Sequence, residues 1–161
     1  MKSPAHAISR APETVPILSV SPYEGDHLAL ESILNDSAWE PDASSQRQVS
    51  RAATLSTALT ALRRVQYSVV LCERDLPLGD WRDLLEHSRR LARPPLLIVT
   101  SLHADERLWA EALNRGAHDV LAKPFHALEV TRVVTLAYLR WYRDWQHATP
   151  NTGSRQAVSA A

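Results

Sequence analysis

Two hydrophobic rhythms alternate along the chain. Short apolar runs, "PILSVS" from Pro16, "YSVVLC" from Tyr67, "LLIVT" from Leu96 and "DVLA" from Asp119, have the length and composition of strands. The second and third are continuously apolar, as in strands covered on both faces. "SSQRQVSRAA" is a poorer strand, with so little apolar content that it suits an edge. Between the runs the spacing becomes helical. "GDHLALESILND" carries Leu28, Ile33 and Leu34 at mostly helical intervals, and "TLSTALTALRRV" puts Leu55, Ala58, Leu59, Leu62 and Val65 on one face behind a capping Thr54. "DWRDLLEHSRRLA" predicts a helix capped by Asp80 and ended by Pro94-Pro95. "DERLWAEALNRG" predicts one stopped by Gly116, and "HALEVTRVVTLAYLRWYRDWQ" a long last helix.

A strand followed by a helix, five times over, predicts an α/β fold. Parallel strands need crossover connections, so the helices fall on both faces of a doubly wound parallel sheet, a three-layer sandwich. Ligands of such sheets bind beyond the carboxyl ends of the strands. The residues to read there are Ser21-Pro22, the stretch from Glu73 to Pro77, Thr100-Ser101 and Lys123-Pro124.

Composition narrows the possibilities. A chain of 161 residues with 45% hydrophobic and 22% charged residues suits one ordinary globular domain. A formal net charge of zero argues against a surface made for nucleic acid or anionic membrane, and no apolar run is long enough to span a bilayer. No signal-peptide pattern opens the chain, so a cytoplasmic location is expected. The single cysteine, Cys72, excludes a disulfide framework and is expected in the core, pointing away from Glu73. The seven histidines have no ligand spacing; His103, His118 and His126 read as exposed loop or cap residues. Residues 1–14 and 148–161 read as flexible ends around one domain at 15–147.

Three spaced segments carry a family resemblance: "VVLCERDLP", "PPLLIVTS" and "RGAHDVLAKPF", at the ends of the third, fourth and fifth strands. From about Val15 to Tyr142 the chain resembles the receiver domain of bacterial two-component response regulators. The resemblance implies a flavodoxin-like (βα)5 fold with strand order 2-1-3-4-5. It also implies phosphoryl transfer from a histidine kinase to an aspartate after the third strand. In the family an acidic pair after the first strand helps hold Mg²⁺, while a Thr or Ser and a Lys contact the phosphoryl oxygens.

Here the acceptor position, four residues before Pro77, is Glu73, and Asp75 belongs to the following loop. The acidic-pair positions are Ser21 and Pro22, the aromatic-switch position is Val120, and the family's loop glycine is Trp81. Thr100, Lys123 and Pro124 match, and the resemblance implies a cis peptide before Pro124. Glu24 and Asp26 are near in sequence but sit in the loop and first helical turn, and are not expected to replace the missing pair. With its ligands largely missing, Mg²⁺ is not expected as a cofactor.

The expected arrangement is a permanent Glu73–Lys123 ion pair at a site that no longer switches. Each residue also has a plainer reading: Glu73 as a solvated loop acid, Lys123 as a loop lysine, Thr100 as an ordinary strand residue. The resulting expectation is a non-enzymatic, phosphorylation-independent module that binds a histidine kinase or another signalling protein, not nucleic acid or membrane. No output domain is expected in the residues after Tyr142. Leu128, Leu136, Leu139 and Tyr142 on the last helix, with Trp109 on the preceding one, form an apolar face expected to make a homodimer or a stable hetero-complex. The alternatives are a phosphorylatable receiver using Asp75 or Glu73, and a flavodoxin-like domain holding a cofactor. Against the latter, only four glycines occur and none forms a phosphate-binding loop.

Overall fold

The computed structural model describes residues 14–36 and 46–148. Nearly all of both expected flexible ends, and residues 37–45, lie outside the described residues. Among the described residues seven strands and five helices follow in order: β1 (Thr14–Val20), α1 (Glu24–Asp36), β2 (Gln46–Ala52), α2 (Leu55–Arg64), β3 (Val69–Glu73), β4 (Asp75–Leu76), β5 (Gly79–Asp80), α3 (Trp81–Ser88), β6 (Leu96–Ser101), α4 (Glu106–Arg115), β7 (Asp119–Ala122) and α5 (Ala127–Ala148).

Five strands form one parallel sheet in the order β2-β1-β3-β6-β7. Numbered among themselves they run 2-1-3-4-5, the expected doubly wound order. Strand alternation distributes the core. On β3, Val69 and Leu71 face the layer of α1 and α5, packing with Leu30, Leu34, Val130 and Val134. Val70 and Cys72 face the other layer, against Ala58, Leu84, Leu108 and Ala112 of α2, α3 and α4. β6 divides likewise, Leu97 and Val99 toward this layer and Ile98 toward the first, so both strands are buried on two sides, which is why their sequences are so apolar. β2, at one edge, is mostly half-exposed, as its weak pattern implied. Cys72 is fully buried, and burial pushes its thiol pKa up.

The caps follow from local chemistry. Thr54 and Thr57 form a reciprocal capping box on α2, and Asp80 and Asp83 form one on α3. Gly116 ends α4 with φ 98°, a conformation costly for any residue with a Cβ.

Two features depart from expectation. α3 stops at Ser88 rather than running to Ala92. Its end tightens into turns, with Arg90 N–H on the His87 carbonyl and Leu91 N–H on Ser88, so the chain enters Pro94-Pro95 already extended. And the stretch after Glu73 is not plain loop: β4 and β5 pair as a small hairpin around Pro77 and Leu78. Leu78 takes φ 61° there and is fully exposed, two costs borne by one leucine.

Candidate functional site

Sheet register builds the site. Glu73 ends β3 directly beside Thr100 of β6, and Ser101 pairs in turn with Ala122 of β7, next to Lys123. Strands about 4.8 Å apart thus deliver an acid, a hydroxyl and an amine to one point at the carboxyl edge. The backbone fixes them there: Arg74 N–H donates to the Thr100 carbonyl (2.9 Å) and Lys123 N–H to the Ser101 carbonyl (2.9 Å). The Lys123–Pro124 peptide is cis.

Lys123 Nζ lies 2.5 Å from Glu73 Oε2, and its side chain is only 7% exposed. The Thr100 hydroxyl donates a long bond, 3.4 Å, to the same Glu73 oxygen. Lys123 has a second partner that sequence reasoning set aside. Asp26 Oδ2, in the first turn of α1, lies 2.8 Å from Nζ and also accepts from the Ser21 hydroxyl at 2.6 Å. So the acid missing from the end of β1 returns from the start of α1, held by the serine standing where an acid was expected. Glu24, weighed alongside it, turns away to Arg51. A usable signal was present: the first turn of a helix leaving a strand end lies over the edge of the sheet, so an acid there remains within reach.

His27, buried beside this loop, was also missed. Its Nε2–H donates to the Ser21 carbonyl (2.9 Å), leaving Nδ1 to accept from the Ser19 hydroxyl (2.8 Å). Those bonds pin the β1–α1 turn and hence Asp26. Tyr23, exposed on the loop, places its ring 4.9 Å from Lys123 Nζ and roofs the ammonium.

The other site residues separate. Asp75 is 72% exposed in its side chain and pairs with Arg74 at 2.9 Å, outside the cluster. Pro22 and Pro124 are exposed on their loops, whereas Val120 is buried. Val120 has no polar end to exchange between interior and solvent. Trp81 is fully buried at the start of α3, beneath Arg82, whose guanidinium lies 5.1 Å from its ring. His118 is half-buried rather than exposed, its pKa lowered by burial and its Nδ1 without a partner, because the α4–β7 turn tucks it inward.

One ammonium thus serves two carboxylates, leaving one net negative charge. Burial raises the Glu73 pKa above the usual carboxylate value and outweighs the Lys123 bond; the charges of Asp26 and Asp75 push the same way. Burial alone would lower Lys123, but hydrogen bonds and charges from Asp26 and Glu73 overcome it, and its pKa is raised. The two directions agree physically: Lys123 gains from two acids, whereas Glu73 shares one cation.

The carboxylates a divalent ion would meet at this edge are Glu73 and Asp26. Mg²⁺ asks for carboxylate oxygens free to enter its octahedron. The two acids that converge here have already closed on an ammonium. Among the described residues, no group of three or more His, Cys, Asp or Glu side chains is placed to hold a metal ion.

A parallel (βα)5 sheet with an acid, a threonine and a lysine at adjacent strand ends defines a signalling receiver. Comparison with known proteins agrees: residues 26–135 match the model of the response regulator receiver domain, and the chain belongs to that family. Over 72 residues, 44% of the chain, it is 42% identical to the transcriptional regulatory protein QseB of Escherichia coli O157:H7 and spans 32% of that protein. A signal receiver domain from Vibrio parahaemolyticus superposes with a TM-score of 0.73 at 19% identity, covering 84% of this chain and 98% of that one. The chemotaxis response regulator CheY4 of Vibrio cholerae gives 0.64 at 16%, covering 77% and 98%. At such identities the structures speak for the fold alone. Receivers of this family act in two-component signalling by contact with histidine kinases and other signalling proteins. Among the described residues no helix is long and apolar enough to cross a membrane.

Proposed function

We propose that this receiver works without phosphorylation, as a protein-binding module whose phosphoryl site is locked by its own side chains. The observation that carries this reading is Lys123 held between Glu73 and Asp26, at 2.5 and 2.8 Å. A phosphoryl group entering the site would bring about two negative charges to a pair of acids already sharing one cation. Without a metal that charge has little to balance it. Asp75, the alternative acceptor, faces solvent beside Arg74. The test is intact mass after incubation with acetyl phosphate and Mg²⁺. No stable one-phosphoryl gain is expected; a clear gain that disappears in Glu73→Ala or Asp75→Ala would refute the reading.

The binding face proposed is the side made by α4, β7 and α5. β7 is the edge strand of the sheet, with α4 packed on one of its faces and α5 on the other. Trp109 and Leu113 on α4, and Leu136 and Leu139 on α5, are exposed there. An exposed aromatic among leucines, with Arg140 and Arg143 nearby, has the composition of an interface. Two residues leave the set expected from sequence. Tyr142 packs inward and stacks on Tyr138 at 6.0 Å, because the helix turns it toward β1. Leu128 borders the groove shared with Ile33 and Asp36 of α1, on the other flank of α5. The proposed assembly is a homodimer formed in the absence of phosphodonor. Sedimentation at micromolar concentration is expected to give a dimer for the wild type and a monomer for Leu136→Glu/Leu139→Glu. A wild-type monomer refutes it.

A further inference from the structure

α4 is held to the sheet by little apolar surface. Of its ten residues only Leu108 and Ala112 are buried, and all the others except Glu111 are exposed. α2, equal in length, adds Leu55, Leu59 and Ala61 to its two buried residues, all packed on the same core. A helix seated on one leucine and one alanine opens locally at small cost. What fixes α4 in place is therefore largely polar, and Glu111, its one half-buried residue, makes that contact.

Glu111 meets a guanidinium that is itself held in position. Arg82 Nε and Nη2 donate to its two oxygens at 2.5 and 2.6 Å, a bidentate pair joining α3 to α4. Arg82 Nη1 donates to Asp80 Oδ2 at 2.7 Å, and the guanidinium stands over the buried Trp81 ring. Asp80 Oδ1 accepts from the Arg82 backbone N–H at 2.8 Å, so one carboxylate fixes both backbone and side chain. Arg115, one turn on, adds a second cation 3.1 Å from Glu111. At the other end of the helix pair Arg89 lies over Gly116, where a Cβ would come within 2.5 Å of its Nη2. Single exposed ion pairs contribute little, but bidentate pairs and networks are the exceptions.

The two ends of this run of charges lie at different places in the fold. Asp80 belongs to β5, where it pairs with Asp75 of β4, two residues past Glu73. Glu111 stands two positions from both Trp109 and Leu113, and so about 200° around the helix from each. The network grips one flank of α4 while the opposite flank presents Trp109 and Leu113 to solvent. Contact with α3 thus sets the rotation of those two apolar residues without occupying them.

We infer that Asp80, Arg82 and Glu111 form a clamp that sets α4 against the β4–β5 hairpin and so pre-forms the α4 half of the binding face. The inference rests on the α4–β7–α5 face proposed above and adds what holds that face in shape. Every charge in the clamp belongs to the chain itself, so no phosphoryl group is needed to set it. A face already held in one arrangement loses less freedom on association, and the strength of the clamp therefore appears in the affinity of the dimer.

Amide hydrogen exchange and sedimentation of the full chain test this with Arg82→Met, which keeps the stem on Trp81 and removes the fork. Exchange is read in the Leu136→Glu/Leu139→Glu chain, so that no dimer covers α4. There Arg82→Met should speed exchange of residues 106–115 at least about threefold while residues 69–73 keep their rate. Glu111→Gln should do the same, and the double variant should exchange about as fast as Arg82→Met alone. Arg82→Lys, a point charge without the fork, should fall between the two. With Leu136 and Leu139 intact, Arg82→Met should raise the dimer Kd at least about threefold. A smaller change in α4 exchange, or an equal one in residues 69–73, overturns the clamp. Faster α4 exchange with an unchanged dimer Kd overturns its link to the face. A monomeric wild type overturns the face and that link together, and the exchange of residues 106–115 then decides the clamp by itself.

Discussion

Removing the charge of Lys123 and removing that of Glu73 are expected to have very different effects. In Lys123→Met, Glu73 and Asp26 face each other with nothing between them. Both reach the same nitrogen, at 2.5 and 2.8 Å, so their oxygens are at most about 5 Å apart, where two like charges at an effective dielectric of 20 repel by about 3 kcal/mol or more. Leaving buried charge uncompensated typically costs about 3–5 kcal/mol, and Lys123→Met is expected in that range at pH 8. In Glu73→Gln the ammonium keeps Asp26, one acid of a repelling pair disappears, and the amide can still meet Thr100. That variant should stay within about 1 kcal/mol of wild type. Urea unfolding of both variants at pH 8 and pH 5 provides the assay. The Lys123→Met deficit should shrink at pH 5, because protonating Glu73, whose pKa burial raises, relieves the repulsion. Equal losses in the two variants, or a Lys123→Met loss independent of pH, would refute a lysine shared between two acids.

Further expectations follow from other parts of the fold. The raised pKa of Glu73 means the folded state holds that proton more tightly than the unfolded state. Its contribution is therefore full below the ordinary carboxylate range and lost as pH rises through the folded value. Glu73→Gln should accordingly gain on wild type between pH 4 and pH 7 in denaturant titrations. Trp81 is fully buried, so Trp81→Ala should cost about 3–5 kcal/mol. Its Nε1 has no partner, so Trp81→Phe loses no hydrogen bond and should cost well under half as much. Leu78→Gly relieves a left-handed leucine that buries nothing, and should stabilise by about 0.5–1 kcal/mol, read as a higher urea midpoint.

Much of this molecule is determined locally, and that part was legible in the sequence. Continuous apolar runs give β3 and β6 because both faces of those strands are covered. Thr54, Asp80 and Gly116 act on helix ends a few residues away, so their chemistry is complete within a short window. The positions of Glu73, Thr100 and Lys123 follow from strand ends in a parallel sheet, and a five-fold βα order is enough to bring them together. Other features were decided only by tertiary structure. Asp26 reaches Lys123 across 97 positions because α1 starts above the same sheet edge; nothing in the spacing of acids separates it from Glu24, which turns to Arg51 instead. The inward turn of Tyr142 and the shift of Leu128 to the α1 flank depend on how α5 is rotated against the sheet, and helical periodicity leaves that rotation open for a helix apolar on more than one face. Arg93, in the loop after α3, meets the Trp145 ring near the end of α5 only because the core draws both elements to one end of the sheet.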